Sequence, residues 1–179
     1  GQTVSRLPDL RCYRTRIFRE NQKMKRVLVK SVYSAFDYVM EHYYPEGLEA
    51  NAERKDTYAV ISIQDTHTGG FGFIFSESNF CKGVLTLYFD DIVKEVPGAV
   101  LFDDEMAEKI ISFIIEHEMV DTLLVHCYAG QSRSRAVGAF AVKMSGGDNS
   151  RYYKGAIPNQ YVYDVLEAAW IRHIFQNNA

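Results

Sequence analysis

Three cysteines, four prolines and one tryptophan in 179 residues are too few for a disulfide-stapled scaffold or a proline-rich linker. Cys12, Cys81 and Cys127 are odd in number and far apart, which fits a reducing compartment and leaves each thiol free for another use. A cytoplasmic location is therefore expected. No stretch of about eighteen apolar residues and no leader-like apolar region occurs, so neither a membrane span nor a secretory signal is expected. Charge of one sign is also scarce: the formal net charge is -3, which gives no reason to expect nucleic-acid binding or a polybasic membrane patch. Gly1-Gln2-Thr3-Val4-Ser5 would fit a myristoylation site behind a removed methionine. A glycine left by tag cleavage fits as well, and no second membrane anchor accompanies it.

What the chain has is apolar residues in short, regularly spaced runs. They make up 47% of the sequence, enough for one core, and the length suits a single domain over 1–179. Arg26–Val32 reads as a strand and Tyr33–Tyr43 as a helix with Phe36, Val39 and Met40 on one face, broken at Pro45-Glu46-Gly47. Tyr58–Ile63 is a second strand and Thr66–Gly72 a loop. A strand at Val84–Phe89, a helix over Asp104–His117 and a short buried strand at Thr122–Val125 follow. A helix over Arg135–Val142, a stop at Ser145–Ser150 and a last helix opening at Pro158 and running to about Phe175 complete the pattern. Strands alternating with helices imply an α/β fold: a parallel-rich central sheet flanked by helices, with ligands at the carboxyl ends of the strands.

At one such end lies His126-Cys127-Tyr128-Ala129-Gly130-Gln131-Ser132-Arg133-Ser134. Five residues separate Cys127 from Arg133, a loop that can curl so that the N–H groups of Tyr128, Ala129, Gly130, Gln131 and Ser132 face inward as an anion nest. Arg133 can close the ring, because a planar guanidinium meets two phosphoryl oxygens where a lysine offers a point charge. The helix that follows aims its positive end at the same place. A cation and a helix N-terminus also favour the thiolate, the nucleophilic form of Cys127. Attack of that thiolate on phosphorus, in line with the leaving oxygen, gives a phosphocysteine that water later hydrolyses. Ser134 is placed to donate a hydrogen bond to the sulfur, with Ser132 as the other candidate.

The loop resembles the H-C-x-x-G-x-x-R-S signature of cysteine-dependent protein tyrosine and dual-specificity phosphatases. Ala129 and Ser132 fit the H-C-x-A-G-x-S-R-S form, which looks like the compact dual-specificity branch and its small prokaryotic relatives. Pro158-Asn159-Gln160-Tyr161-Val162, through Leu166, is similar to the Pro-Asn element that follows the loop in that branch. The resemblance spans roughly Val84–Leu166. It implies a protein-tyrosine-phosphatase-like fold and a phosphomonoester hydrolase for phosphotyrosine, with phosphoserine or phosphothreonine in proteins as further substrates. No cofactor and no metal are implied, and His126 would orient the loop and carry no proton.

Expulsion of the ester oxygen needs a proton donor, which the resemblance places on an aspartate some tens of residues before the cysteine, on a loop after a strand. Phe89-Asp90-Asp91 ends the third strand, and Ile92–Gly98 reads as a mobile loop. Phe102-Asp103-Asp104 instead precedes a helix, where its aspartates serve as N-cap and first-turn residues. Strand alternation does not decide between Asp90 and Asp91; the aspartate-before-isoleucine shape of small bacterial-type phosphatases favours Asp91. Asp65 reads as a turn residue.

Three alternatives remain open. A pseudophosphatase would keep the nest and lose the chemistry. Lipid and inositide phosphatases of this kind carry lysines inside the loop, where this chain has Tyr128, Ala129 and Gln131, and RNA-end phosphates are a further substrate class. Rhodanese-type sulfur transfer uses a shorter loop. Arg11, Arg14, Arg16, Arg19, Lys23, Lys25 and Arg26 form an early basic segment, read first as a solvated face and second as a guide for an acidic phosphopeptide. Cys12 or Cys81 could trap Cys127 in a protective disulfide, although core or surface positions suit them better.

Overall fold

The computed structural model describes residues 24, 26–44, 55–67, 69–72 and 74–178. Four strands are present among them: β1 (Arg26–Ser31), β2 (Tyr58–Gln64), β3 (Cys81–Tyr88) and β4 (Thr122–Cys127). They form one sheet in the order β1-β4-β2-β3, with every pairing parallel. Four α-helices accompany them: α1 (Val32–Tyr43), α2 (Asp104–Glu116), α3 (Arg133–Met144) and α4 (Gln160–Asn177), with a 3₁₀ turn at Ser150–Tyr153.

Alternate residues of the inner strands feed two cores. Ala59, Ile61 and Ile63 of β2 and Leu123 and Val125 of β4 pack with α2, α3 and α4, whereas Tyr58, Val60 and Leu124 pack with Ala35, Val39 and Tyr43 of α1. Helices thus cover both faces, which is why β2 and β4 are buried throughout and read as unbroken apolar runs. On α1 the buried stripe is Val32, Ala35, Val39 and Tyr43, so Phe36 and Met40 of the expected face flank it, half-buried.

Several boundaries differ from expectation for local reasons. Ser31 ends β1 and caps α1, its Oγ accepting from Ser34 N at 3.1 Å. β3 begins earlier, at Cys81, because Tyr58 pairs with it in parallel register. Pro158 stands two residues before α4, just ahead of its N-cap Asn159. Asp103 caps α2 as expected, accepting from Met106 N at 2.9 Å.

Strand register places Cys81 and Cys127 at opposite ends of the sheet: Tyr58 pairs with both Cys81 and Thr122, the first residues of β3 and β4. At about 3.3 Å per residue, Cys127 lies too far along β4 for the short Cα separation a disulfide needs. Cys81 is thus no trap for Cys127; it is buried against Tyr58 and Phe80. Cys12, the first five residues, the basic segment other than Arg26 and the Pro45-Glu46-Gly47 break lie outside the described residues. No helix among the described residues is long and apolar enough to cross a membrane.

Candidate active site

β4 ends at Cys127, and α3 begins at Arg133, so the loop between them sits at the carboxyl edge of the sheet. Gly130 bends it with φ +71°, and a Cβ there would lie 2.5 Å from both Lys30 C and Ser31 N. Only glycine therefore lets the loop rest on the end of β1. Tyr128 O accepts from Val32 N at 3.1 Å, a second tie to the same place. Gly138, one turn into α3, would push a Cβ into Val29 Cγ2, so it sets how closely α3 approaches β1.

Cys127 is 2% exposed. Its Sγ accepts from Gly130 N at 3.2 Å and lies 3.1 Å from Ser134 Oγ. The Ser132 hydroxyl, the other candidate for the sulfur, donates to Asp91 Oδ1 at 2.8 Å and is committed elsewhere. Tyr128 is 50% exposed, with its ring 5.4 Å from Phe71 and 6.5 Å from Tyr33. Ala129 and Gln131 are exposed, and Gln131 Oε1 accepts weakly from Arg135 Nη2 at 3.4 Å.

Arg133 is buried with its guanidinium anchored along one edge. Nη1 donates to Phe89 O at 2.8 Å and pairs with Asp65 Oδ1 at 2.6 Å. Nε is buried with no hydrogen-bond partner, a condition that among the described buried side-chain nitrogens and oxygens only Arg135 Nε shares. Asp65, read from the sequence as a turn residue, stands just before the turn at 66–67 and also partners the loop arginine. Its position directly after β2 was the only local clue; the register that brings the ends of β2 and β4 together is a property of the sheet.

The two adjacent aspartates face different surroundings. Asp90 is buried and accepts from Thr66 Oγ1 at 2.6 Å, Thr66 N at 3.2 Å and Val100 N at 2.8 Å. Burial alone would raise its carboxyl, but the Thr66 hydroxyl, the Val100 and Thr66 N–H groups and nearby His67 outweigh it and hold the carboxyl below the ordinary range. Asp90 N also donates to Val100 O at 2.8 Å, so the segment 90–100 is closed at its neck. Within it lies the loop expected at Ile92–Gly98, exposed from Val93 to Gly98. Asp91 is exposed, and its Oδ1 accepts from Ser132 Oγ and from Asn159 Nδ2, both at 2.8 Å.

His126 is fully buried. Its Nδ1 lies 3.1 Å from Cys127 O, which can only accept, so Nδ1 carries the proton and Nε2 accepts from Ser62 Oγ at 2.6 Å. Ser62 Oγ in turn accepts from Gln64 Nε2 at 2.8 Å, and Gln64 Oε1 accepts from Phe71 N at 2.8 Å. Every member of this chain is satisfied in one direction. Burial holds His126 below the ordinary histidine value; its bond to the Cys127 carbonyl opposes this and the nearby Arg133 charge adds to it. Ser62 and Gln64 are site residues that the sequence reading does not single out; Asp65 enters it only as a turn residue and Asn159 only within the Pro-Asn element, neither with the contacts seen here. They come from β2, the residue after it, and the cap of α4.

No protein-family model matches the sequence, and no curated protein matches it. Among solved structures the chain is similar to the crystal structure of Tk-PTP in the active form, at 19% identity and a TM-score of 0.46, over 82% of this chain and 90% of that one.

Proposed function

We propose that this protein is a cysteine-dependent phosphomonoester hydrolase acting on phosphotyrosine in proteins, with phosphoserine and phosphothreonine as further substrates. The observation that carries the reading is the loop arginine: Nη1 is held by Phe89 O and Asp65, while the buried Nε has no protein partner. A buried donor without an acceptor is costly, and a phosphoryl oxygen beside Cys127 would satisfy it. The inward Gly130 N–H and the N-terminus of α3 favour the same anion.

In this reading the Cys127 thiolate attacks phosphorus and the P–O bond to the ester oxygen breaks. Asp91 supplies the proton that the departing oxygen takes up. Water then attacks the phosphocysteine, giving its proton to Asp91, and the S–P electron pair returns to Cys127, whose charge the Ser134 hydroxyl stabilises. Tyr128, Ala129, Gly130, Gln131 and Ser132 supply the backbone nest, and His126 holds it without exchanging a proton. The exposed rings of Tyr128 and Tyr33, with Phe71 beside them, favour an aryl phosphate, since aromatic rings reward edge or offset contact with another ring.

Hydrolysis of para-nitrophenyl phosphate by wild type and Cys127→Ser, without added metal and with vanadate as competitor, tests this. Vanadate-sensitive turnover that disappears in the variant is expected. Full activity in Cys127→Ser would overturn the mechanism, and vanadate binding without turnover in the wild type would make the protein a phosphate-binding module.

A further inference from the structure

We infer that Asn159 is a positioning residue for the general acid: it fixes Asp91 through Oδ1, so that the transferable proton resides on Oδ2. The inference rests on the phosphatase reading above and concerns the same site. Asn159 is 5% exposed and makes four bonds besides the first helical bond of α4, in which its carbonyl accepts from Tyr163 N at 3.1 Å. Its N–H donates to Ser132 O at 3.2 Å, and its Oδ1 accepts from Val162 N at 3.1 Å as the cap of α4. Its Nδ2 donates to Asp91 Oδ1 at 2.8 Å and to Ile92 O at 3.2 Å. The amide orientation is fixed by these partners. Turned over, it would set its oxygen against a carboxylate and a carbonyl, and its NH₂ against a backbone N–H.

Asp91 Oδ1 therefore faces two donors, Asn159 Nδ2 and Ser132 Oγ. A carboxylic acid proton on that oxygen would point at groups that are themselves donating, so the proton of the acid form belongs on Oδ2. As Cys127 Sγ bonds to phosphorus, the P–O pair passes to the ester oxygen, which takes the proton from Oδ2. Asp91 is left as a carboxylate. The two donors on Oδ1 bind that carboxylate more strongly than the neutral acid, because hydrogen bonds to a charged acceptor are about twice as strong. They lower the barrier to proton transfer without touching the substrate. Asn159 also joins three parts of the site: the acid-bearing segment, the phosphate loop through Ser132, and α4.

The test measures kcat for two aryl phosphates, 2,4-dinitrophenyl phosphate, whose leaving group needs no proton, and phenyl phosphate, whose leaving group does. Asn159→Ser keeps a side-chain oxygen able to cap α4 while removing the amide donor; Asn159→Asp keeps shape and cap and also lacks the donor. Asp91→Ala sets the limiting behaviour, about 10²–10⁴-fold selective loss on phenyl phosphate. Both Asn159 variants should raise the dinitrophenyl-to-phenyl kcat ratio at least about tenfold, toward that limit. Damage to the loop or to α4 alone would lower both rates together and leave the ratio at its wild-type value. Such a wild-type ratio in Asn159→Ser and Asn159→Asp, alongside a raised ratio in Asp91→Ala, overturns the role of Asn159 and leaves the phosphatase reading standing. An unshifted ratio in Asp91→Ala would overturn the acid assignment and this inference with it.

Discussion

Arg133 shows how much of this site rests on the geometry of single atoms. Its Nη1 is shared between a backbone carbonyl and Asp65, which orients the guanidinium plane, and the remaining edge includes the unpartnered Nε. Lysine could reach one of these partners but could not hold a fixed plane while presenting a second donor. Arg133→Lys should therefore lower kcat/KM by about 10²–10³-fold, the usual cost of losing one preorganised oxyanion donor, and weaken vanadate competition in parallel. A variant with normal vanadate affinity would show that the anion does not use this guanidinium. Asp65 belongs to the same argument. Asp65→Asn keeps a hydrogen bond to Nη1 and loses the ion pair, so it should cost less than Arg133→Lys in both assays.

At the scale of elements, the segment from Asp90 to Val100 is held by a buried carboxylate at its neck. Asp90→Asn would place an NH₂ group where two backbone N–H groups and a hydroxyl converge, leaving buried donors without acceptors. A destabilisation of about 1–3 kcal/mol is expected in urea unfolding, together with a fall in phenyl phosphate turnover as Asp91 loses its fixed base. The Asp90 carboxyl is held below its ordinary value, so its stabilisation is present above about pH 3.9 and lost as pH falls through the lower folded value. Local elements of this kind were partly legible. The Asp103 cap and the acidic first turn of α2 follow from side chain and backbone within three residues of each other. The roles of Asp90 and Asp91 did not, because adjacent residues at a strand end diverge according to what stands opposite each of them. Here that is Thr66 and Val100 for one, and Ser132 and Asn159 for the other.

Across the whole molecule, the chain of hydrogen bonds from Phe71 through Gln64, Ser62 and His126 to Cys127 O links the loop after β2 to the Cys127–Arg133 loop across the two inner strands. Ser62→Ala would leave His126 Nε2 buried and unsatisfied, costing about 1–3 kcal/mol of global stability. His126 is held below its ordinary value chiefly by burial. The unfolded chain takes up a proton near about pH 6.5 where the folded one does not, so this contribution is full above that pH and falls as pH drops toward the folded value. Urea midpoints measured from pH 7.5 to pH 5 should decline in the wild type, and His126→Gln should flatten that decline; an equal slope in both would place its origin elsewhere. By itself the sequence determined the alternation of strands and helices and the loop from His126 to Ser134, because apolar periodicity, a glycine turn and a Cys-to-Arg spacing act over a few residues. Tertiary structure alone decided which carboxylate holds Arg133, which group occupies the Ser132 hydroxyl and which aspartate is buried. Those choices depend on parallel register and helix placement that bring together groups 24 to 68 positions apart, a distance over which chain order sets no geometry.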